Sequence, residues 1–530
     1  MKLRLTKAGR MVLFVALIIM MGVGGFFGYQ HFADSEVGLI NGFQSDKLSN
    51  NPGSGATNAE PITKPSVPPS QNFDTDSTTI NLSLDEWIGW KPIIDANQGL
   101  TTQPGSIFDE LGLKVNINIV NDADDSSNAL IKGDLNAAGY TLNRTAFLSG
   151  KFTNAGLDVV MPVFTNYSNG GDGIIALNEF DSIESLVDAK IGVPKFSEAQ
   201  SLVVWFINKS DLPDTDKQKI ISNLVLLDDA GQTGQAFFAG SLDVAATWQP
   251  YLSNAANSTN SHILFDTTSS NKLIMDGILF RADFAQAHPD IVAKFIDGIF
   301  QAESMYETEF NYIRKVMPMF ADSSDDEIKS MCGDAGLMNY SQNLNALEND
   351  CPTVYADMCA IWESIGETVD RNLGVSLFDT TYIHKLSDKY SSLPQQSTFE
   401  ITQEQKESVK NATALLSKSV TLNFMPDLAK FVDNAEADGI LKEFVGMANT
   451  LDGAIIQIEG NVNERNATET GRRLSEERAK TVKNYFVANG IDPNRIIVVG
   501  NGNSKMLVDP GSNDTVKNRR TDIFFKTIES

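Results

Sequence analysis

Histidine is scarce in this sequence, and its few copies lie far apart. Four occur in the whole chain, at positions 31, 262, 288 and 384. Metal-binding and catalytic histidines act together with other ligands or with a nucleophile, and the sequence shows no such grouping. We therefore expect no metal site, no cofactor and no enzymatic activity.

Cysteine is equally rare, with Cys332, Cys351 and Cys359 inside one short stretch. Their spacing matches neither the CxxC pattern nor the Cys/His pattern that is typical of zinc sites. At most one disulfide can form, and an oxidising compartment permits one without requiring it. Cys332 with Cys351 and Cys351 with Cys359 are the two pairings considered, and buried or free thiols are the alternative.

Basic residues are outnumbered by acidic ones. The chain has 42 Lys and Arg against 68 Asp and Glu, a net charge of −26. Binding to a phosphate backbone depends on Lys and Arg that replace condensed counterions, so this balance opposes nucleic acid as a partner. The 42% hydrophobic content is that of a globular protein, and 530 residues are too many for one core. Two or three domains are expected.

Charge is absent from one long run near the N-terminus, Met11–Tyr29, which reads MVLFVALIIMMGVGGFFGY. About 19 residues at about 1.5 Å each nearly span a bilayer core. Basic residues precede the run and acidic residues follow it, so the positive-inside rule leaves residues 1–10 as a cytoplasmic basic tail. A cleaved signal peptide is the alternative, but no A-x-A site follows. The sequence predicts an uncleaved transmembrane helix at 11–29, with the bulk of the chain extracytoplasmic.

Residues 30–78 are rich in Asn, Ser, Pro, Gly and Thr, which predicts a disordered linker. Residues 79–390 instead alternate short apolar runs, such as INLSL and LDVVMPVF, with amphipathic stretches. This alternation predicts α/β units with mostly parallel strands. Pro289 and an apolar face predict a helix from His288 to Ala302.

Six stretches of this region occur in a recognisable order: WIGWKPIIDANQGL, LIKGDLNAAGYT, GGDGIIA, SIESLVDAKIGVPKFSEAQS, AFFAGSLDVAATWQPYL and DGILFRADFAQAHPDIVAKF. In this order they resemble the substrate-binding proteins of ABC importers of the nitrate, sulfonate and thiamine-precursor type. The resemblance implies a two-lobed periplasmic-binding-protein-like (type II) domain at 79–390, which closes on a small polar or anionic solute by a hinge motion. It also implies an ABC permease as a partner.

Cleft positions follow from this resemblance, because the cleft ends of such strands offer loops and helix N-termini to polar ligands. The two tryptophans among them are expected as apolar walls, or as packing residues in the alternative interpretation. Arg144 is considered as a partner for an anionic ligand, or alternatively as a solvated surface group. The predicted cleft residues are Trp90, Thr141, Gly171, Asp172, Ser197 and Trp248.

A polar break and a helix-like stretch, together residues 391–417, precede a new pattern. VTLNF predicts a strand, the residues from 440 to 448 form a helical apolar stripe, and AIIQIEG is a second strand. LSEERAKTVKNYFVANG predicts a second helix, capped by Ser475 and ended by Asn489–Gly490. RIIVVG and TDIFFK complete a small α+β module.

The stretch LSEERAKTVKNYFVANGIDPNRIIVVGNGNS, followed by NRRTDIFF, resembles the OmpA-like peptidoglycan-binding domain, which we assign to residues 418–528. In that family an Asp and an Arg grip the peptide stem of peptidoglycan. Arg478 matches the Arg, but Asn463 stands where the family has Asp, so a weaker contact is expected. Gly471 likewise replaces an Asn of the pattern. Arg519, together with Asn518 and Arg520, is expected to support the same pocket or, alternatively, only to flank the last strand. The alternative for Arg478 is a solvated arginine on a surface helix.

The combined prediction is a membrane-anchored protein of the cell envelope. Its middle domain would bind a small polar or anionic solute, and its C-terminal domain would contact a peptidoglycan stem peptide. The alternative is a structural tether in which the solute-binding fold has lost its ligand.

Overall fold

The computed structural model describes residues 68–71, 73, 77–270, 272–392, 402–412, 414–425 and 427–527. The predicted basic tail, the predicted transmembrane helix at 11–29 and most of the predicted linker lie outside these residues. Among the described residues, no helix combines the length and the apolar character needed to cross a membrane.

The strands are numbered in chain order: β1 Ile80–Leu84, β2 Val115–Ile119, β3 Ala137–Thr141, β4 Val159–Ser168, β5 Asp172–Leu177, β6 Ile191–Pro194, β7 Val225–Leu227, β8 Val244–Trp248, β9 Ser261–Asp266, β10 Met275–Arg281, β11 Ala335–Leu337, β12 Ala414–Val420, β13 Ile455–Asn461, β14 Ile496–Gly502 and β15 Thr521–Lys526. The α-helices are α1 Lys91–Asn97, α2 Ile107–Glu110, α3 Ala123–Lys132, α4 Leu142–Ala155, α5 Glu198–Lys209, α6 Asp214–Ser222, α7 Ala230–Phe238, α8 Tyr251–Ala256, α9 Ala282–Ala287, α10 Pro289–Ala302, α11 Asn311–Val316, α12 Asp325–Cys332, α13 Tyr340–Asn345, α14 Cys351–Ser364, α15 Leu373–Leu377, α16 Thr381–His384, α17 Ser387–Tyr390, α18 Gln403–Asn411, α19 Asn434–Thr450 and α20 Glu469–Ala488.

Two lobes form the middle region, each built on its own sheet. The first sheet has the order β11-β4-β10-β3-β1-β2 and the second has the order β7-β6-β8-β5-β9. Strand β1 is parallel to β2 and β3, whereas β10 is antiparallel to β3 and β4. In the second sheet β6 is parallel to β7 and β8, but β5 is antiparallel to β8 and β9. Both sheets are mixed, so the prediction of mostly parallel strands is wrong.

The chain crosses between the lobes twice, after β4 and after β9. The hydroxyls of Ser168 and Thr267, one on each crossing, lie 2.8 Å apart. The Gly170 N–H also donates to Thr267 Oγ1 at 2.9 Å. The two crossings are therefore tied together, which is the arrangement from which two lobes can hinge.

Local sequence places two helices at the boundary between the lobes. Thr141 ends β3 and caps α4, since its hydroxyl oxygen accepts from the Arg144 N–H at 2.9 Å. Ser197 caps α5 in the same way through Gln200. A side-chain oxygen at the N-cap satisfies an N–H that has no partner within the helix. Helix α10 confirms the prediction made from Pro289 and its apolar face.

The C-terminal sheet has the order β12-β15-β13-β14, with β13 and β14 parallel and the other pairs antiparallel. Helix α20 approaches β13 so closely that a Cβ on Gly460 would lie 2.0 Å from the Ser475 carbonyl oxygen. Ser475 is buried inside α20, where its hydroxyl oxygen accepts from the Gly502 N–H. The helix is capped by Thr468 instead, so the predicted cap at Ser475 is wrong.

The C-terminal domain also begins earlier than predicted. Strand β12 ends at Val420, so the predicted strand VTLNF is mostly loop. Helix α18 belongs to the domain as well, because Val409 is buried with Ile455 and Ile497. Lys526 Nζ further donates to the Lys410 carbonyl at 2.8 Å. The helix-like part of the segment 391–417 is therefore helix α18, and the structure that packs with this domain begins near Gln403, before residue 418.

Two smaller predictions are also settled by burial. All three cysteines are free and buried, so the thiol alternative holds and neither disulfide forms. The last part of the predicted linker is ordered, since Phe73 packs edge-on against Phe284 at 5.7 Å between ring centroids. The Gln71 carbonyl also accepts from Arg281 Nη2 at 2.9 Å. These contacts fix the end of the linker on the first lobe.

Candidate functional site

A carboxylate from the second lobe joins the two lobes at the cleft. Glu198 is the first residue of α5, and its Oε1 accepts from Thr141 Oγ1 at 2.8 Å and from Arg144 Nε at 3.0 Å. Its Oε2 accepts from Arg144 Nη2 at 2.9 Å. Thr141 and Arg144 belong to the first lobe, and Glu198 is only 9% exposed. The lobes are thus bridged by a bidentate, charge-assisted and largely buried contact.

The guanidinium of Arg144 affects the pKa values of the carboxyls that lie next to it in the cleft. Burial would by itself raise the pKa of Glu198, but the charge of Arg144 and the hydrogen bonds from Arg144 and Thr141 together outweigh burial and hold that pKa below its usual value. Burial, reinforced by neighbouring carboxyls, raises the pKa of Asp172 to about 7 and the pKa of Asp276 well above its usual value. Asp85 is exposed, and its carboxyl interacts electrostatically with that of Asp276. Arg144 is thus already paired with Glu198 and also interacts with Asp85, an arrangement that disfavours a second anion.

Little room remains beside the bridge. The cavity next to Glu198 measures about 20 Å³ and is lined by residues that include Asp85, Tyr140, Thr141 and Arg144. A space of this size accommodates about one water molecule. In this closed form the cleft is filled by the protein's own side chains.

The structure brings most of the predicted cleft residues to the boundary between the lobes. Asp172 and Trp248 are cross-strand partners on β5 and β8, and the Gly171 carbonyl accepts from the Gln249 N–H at 3.0 Å. Trp248 is half-buried. The Ser197 hydroxyl turns inward and donates to the Pro194 carbonyl at 2.7 Å. Among the predicted cleft residues, Thr141 thus donates to the Glu198 carboxylate, and Asp172 has a carboxyl that interacts electrostatically with it.

Trp90 is a core residue, as the alternative interpretation expected. It is 1% exposed, its Nε1 donates to Asp85 Oδ1 at 2.6 Å, and its ring packs against Gly139. The half-buried tryptophan near the crossing is Trp87, which the sequence analysis missed. Its Nε1 lies 3.1 Å from Asp276 Oδ2. Both tryptophans occur in the same WIGW motif, and the sequence does not say which of them enters the core.

Glu198 is the main functional candidate that sequence reasoning missed. It directly follows Ser197, which was predicted on its resemblance to the family. An acidic residue in the first turn is also a common feature of helices, because it complements the helix dipole. Its signal was therefore indistinguishable from ordinary helix capping. Arg144 pairs with this internal carboxylate, so it is not the solvated surface group of the alternative interpretation.

A second and larger pocket, of about 390 Å³, lies in the C-terminal domain. Arg478 lines it and is half-buried. Its Nε donates to the Leu428 carbonyl at 3.2 Å and its Nη2 to the Met425 carbonyl at 3.4 Å. The guanidinium also stacks 5.1 Å from the centroid of the Phe424 ring. These contacts leave Nη1 without a hydrogen-bond partner among the described residues, so Arg478 is oriented and still able to bind a ligand.

The other predicted residues of this pocket are differently constrained. The Asn463 Oδ1 accepts from Asn518 Nδ2 at 2.8 Å, and Asn518 is fully buried. Asn463 is therefore held in a fixed orientation. Arg519 is exposed and also lines the pocket. Arg520 forms an ion pair with Asp522 at 2.9 Å, so its role is structural.

Acidic groups in this pocket were not predicted from the sequence. Asp427 and Glu464 both line it. The Glu464 Oε2 accepts from Thr468 Oγ1 at 2.7 Å, and a Cβ on Gly471 would lie 2.2 Å from that same oxygen. Gly471 thus leaves the space that the Glu464 carboxylate occupies. With Arg478, the pocket offers charges of both signs, which suits a ligand that carries both an ammonium group and a carboxylate.

Comparison with known proteins agrees with this division of the chain. Residues 423–520 match the OmpA family, and outer membrane protein A of Bordetella avium is 34% identical over 101 residues, 18% of this chain and 50% of that protein. An aliphatic sulfonates-binding protein of Bacillus subtilis is 24% identical over 162 residues, 30% of this chain and 47% of that protein. The chain thus spans about half the length of each of these two relatives.

Among solved structures, the periplasmic aliphatic sulphonate binding protein of Escherichia coli aligns with 58% of this chain and 99% of its own, at 13% identity and a TM-score of 0.46. A protein of Bordetella bronchiseptica aligns with 60% of this chain and 99% of its own, at 17% identity and a TM-score of 0.45. Residues 423–520 of this chain thus match the OmpA family, and the described residues that precede them form two lobes, each on its own sheet.

Proposed function

We propose that this chain is an envelope protein that binds the stem peptide of peptidoglycan in the C-terminal pocket. The proposed membrane anchor is Met11–Tyr29, with the described domains on the extracytoplasmic side. The observation that carries the proposal is the pocket of about 390 Å³ in which Arg478 is oriented by two loop carbonyls. A guanidinium with a free edge suits a stem carboxylate.

The acidic side of the pocket would take the ammonium group of the stem. Asn463 offers an amide oxygen, which is a neutral acceptor and forms a weaker bond than a carboxylate would. That oxygen is already engaged by Asn518. Affinity for the wall is therefore expected to depend mainly on Arg478, and the chain would be a weaker binder than one with Asp at position 463.

Pelleting of the full chain in detergent with purified sacculi tests this function. Arg478→Ala should reduce the pelleted fraction strongly, since removing one partner of a partly desolvated charge pair costs about 2–5 kcal/mol. Asn463→Asp should increase it, because charge-assisted hydrogen bonds are roughly twice as strong as neutral ones. The two variants should move affinity in opposite directions.

A control is needed because Arg478 also holds the loop of Met425 and Leu428. Thr481→Val is suited to this purpose, since the Thr481 hydroxyl donates to the Ala429 carbonyl of the same loop at 2.7 Å. This variant loosens the loop and leaves the guanidinium in place. If Thr481→Val loses as much pelleting as Arg478→Ala, or if Arg478→Ala pellets like wild type, stem binding through Arg478 is refuted.

Solute capture by the middle domain is the second candidate function, with an ABC permease as the partner. It is favoured by the two-lobed architecture and by Thr141, Asp172 and Trp248, which lie where the lobes meet. The carboxyls around Arg144 favour a polar solute with a neutral or cationic group over a simple anion. Thermal unfolding of the full chain with a panel of anions, sulfonates, amino acids and pyrimidines tests it, because a ligand that binds only the folded state raises its stability. A panel without any shift would favour the structural tether.

A further inference from the structure

Glu198 lies between the two lobes, in the position from which a bound solute would contact both. Its carboxylate accepts three hydrogen bonds, all from Thr141 and Arg144 of the opposite lobe. An arginine fork and a hydroxyl at a helix N-terminus form a donor set suited to a carboxylate or a similar oxyanion. Thr141 and Arg144 thus form a carboxylate-binding site, and the carboxylate that they bind is the side chain of Glu198 in the same chain.

The surroundings make this occupant difficult to replace. The cavity beside it holds about 20 Å³, so an external anion cannot bind while Glu198 is in place. Such an anion would also compete for a guanidinium that is already engaged through Nε and Nη2. It would lie in surroundings where desolvation raises the pKa of the Asp85 and Asp172 carboxyls, so additional negative charge is disfavoured there.

The Glu198 bridge is not the only contact between helix α4 of the first lobe and the region of helix α5 in the second lobe. Asn143 Nδ2 donates to Ser201 Oγ at 2.9 Å, and the ring of Phe147 on α4 stacks on that of Phe196, which precedes α5, at 4.9 Å between ring centroids. The helices therefore retain uncharged contacts when the carboxylate is removed. Loss of Glu198 should loosen the closed cleft without unfolding either lobe.

We propose that Glu198 is an internal ligand that holds the middle domain closed by occupying a carboxylate-binding site formed by Thr141 and Arg144. The domain is then self-liganded in its resting state. External binding at this site requires the Glu198 side chain to leave it. The site accepts small carboxylates when Glu198 is absent.

Replacement of Glu198 by alanine tests the proposal in the full chain. The substitution removes the atoms of an acetate ion and leaves both donors in place. Hydrogen exchange should accelerate by about tenfold or more in peptides that contain the first turns of α4 and α5, because a charge-assisted bridge between them is lost. Added acetate should restore protection at millimolar concentration, whereas wild type should show no response to acetate.

Two controls separate the bridge from general effects. Glu443→Ala breaks a more exposed pair with Lys418 in the C-terminal domain, so it removes a charged contact away from the cleft. Its exchange in α4 and α5 should equal that of wild type, with or without acetate. Methylammonium chloride at equal ionic strength should not restore protection in Glu198→Ala.

Three outcomes would overturn the proposal: Glu198→Ala with the protection of wild type, no response of that variant to acetate, or equal acetate binding by wild type. If Glu198→Ala does not fold, Glu198→Gln and Arg144→Met provide a second test, since both keep the side-chain volume. Each single variant, and the double variant, should then accelerate exchange in α4 and α5 to the same extent. Additive effects of the two substitutions would show that the pair does not act as one bridge. Sacculus pelleting is a separate readout, so this result is independent of peptidoglycan binding.

Discussion

Asp172 should make the middle domain less stable as the pH rises. Its side chain is 7% exposed, and burial together with the nearby carboxyls raises its pKa to about 7 from 3.8. A carboxyl whose pKa is higher in the folded than in the unfolded state favours folding most at low pH. That contribution is lost as the pH rises from the unfolded toward the folded pKa. Asp172→Asn removes the titration and keeps the shape of the side chain.

The size of the effect follows from the interval between pH 5 and the folded pKa. At pH 5 the unfolded carboxyl is already ionised and the folded one is protonated. Each pH unit up to the folded pKa then costs about 1.4 kcal/mol. From pH 5 to pH 8, wild type should lose about 2–3 kcal/mol more free energy of unfolding than Asp172→Asn. Asp95 and Glu303, whose pKa values are also raised to about 7 by burial, titrate in both proteins and cancel from the comparison.

Urea unfolding at pH 5 and pH 8, followed by tryptophan fluorescence, measures this difference. All five tryptophans lie in the middle domain, so the signal reports on that domain alone. Asp211→Asn serves as the control, because Asp211 is exposed and the substitution changes the net charge equally. The reasoning is refuted if Asp172→Asn changes stability by the same amount at both pH values, or if the variant is less stable than wild type at pH 8.

Further predictions concern stability and cysteine chemistry. Arg495 is buried and donates to the carbonyls of Ala448, Leu451 and Ala454, at and just after the end of α19. Arg495→Met should therefore destabilise the C-terminal domain by about 3 kcal/mol or more in thermal unfolding. An unchanged Tm would contradict this. Gly460→Ala should destabilise the same domain by at least about 2 kcal/mol, because the added Cβ would clash with the α20 backbone. Thermal unfolding followed by circular dichroism would detect this loss, and the control Gly439→Ala, at an exposed position, should not produce it. Cys351 is fully buried, and burial raises the pKa of its thiol well above the usual value. Ellman's reagent should therefore react with Cys351 rapidly only in urea. Fast reaction of Cys351 in the native chain would refute its burial.

Much of the architecture could be predicted from local patterns. Alternation of apolar runs and amphipathic stretches indicated α/β lobes, and Pro289 with its apolar face indicated helix α10. These signals are local, because helix and strand periodicities are set by neighbouring residues. Arg478, which was singled out from the resemblance to the OmpA-like domain, lines a pocket, and its binding of peptidoglycan stays a prediction. The start of β12 was not predicted, since its pairing partner β15 is about 100 residues away in sequence.

The sequence by itself determined the order of the domains, the acidic balance of the chain and the chemical types available at each site. Only the tertiary structure decided which groups meet. It buried Trp90 and placed Trp87 beside Asp276, although both belong to one motif. It also brought Glu198 to Arg144 from 54 positions away. A glutamate in the first turn of a helix and an arginine in the first turn of another have ordinary sequence signals, and their pairing depends on the packing of two lobes, which no local pattern encodes.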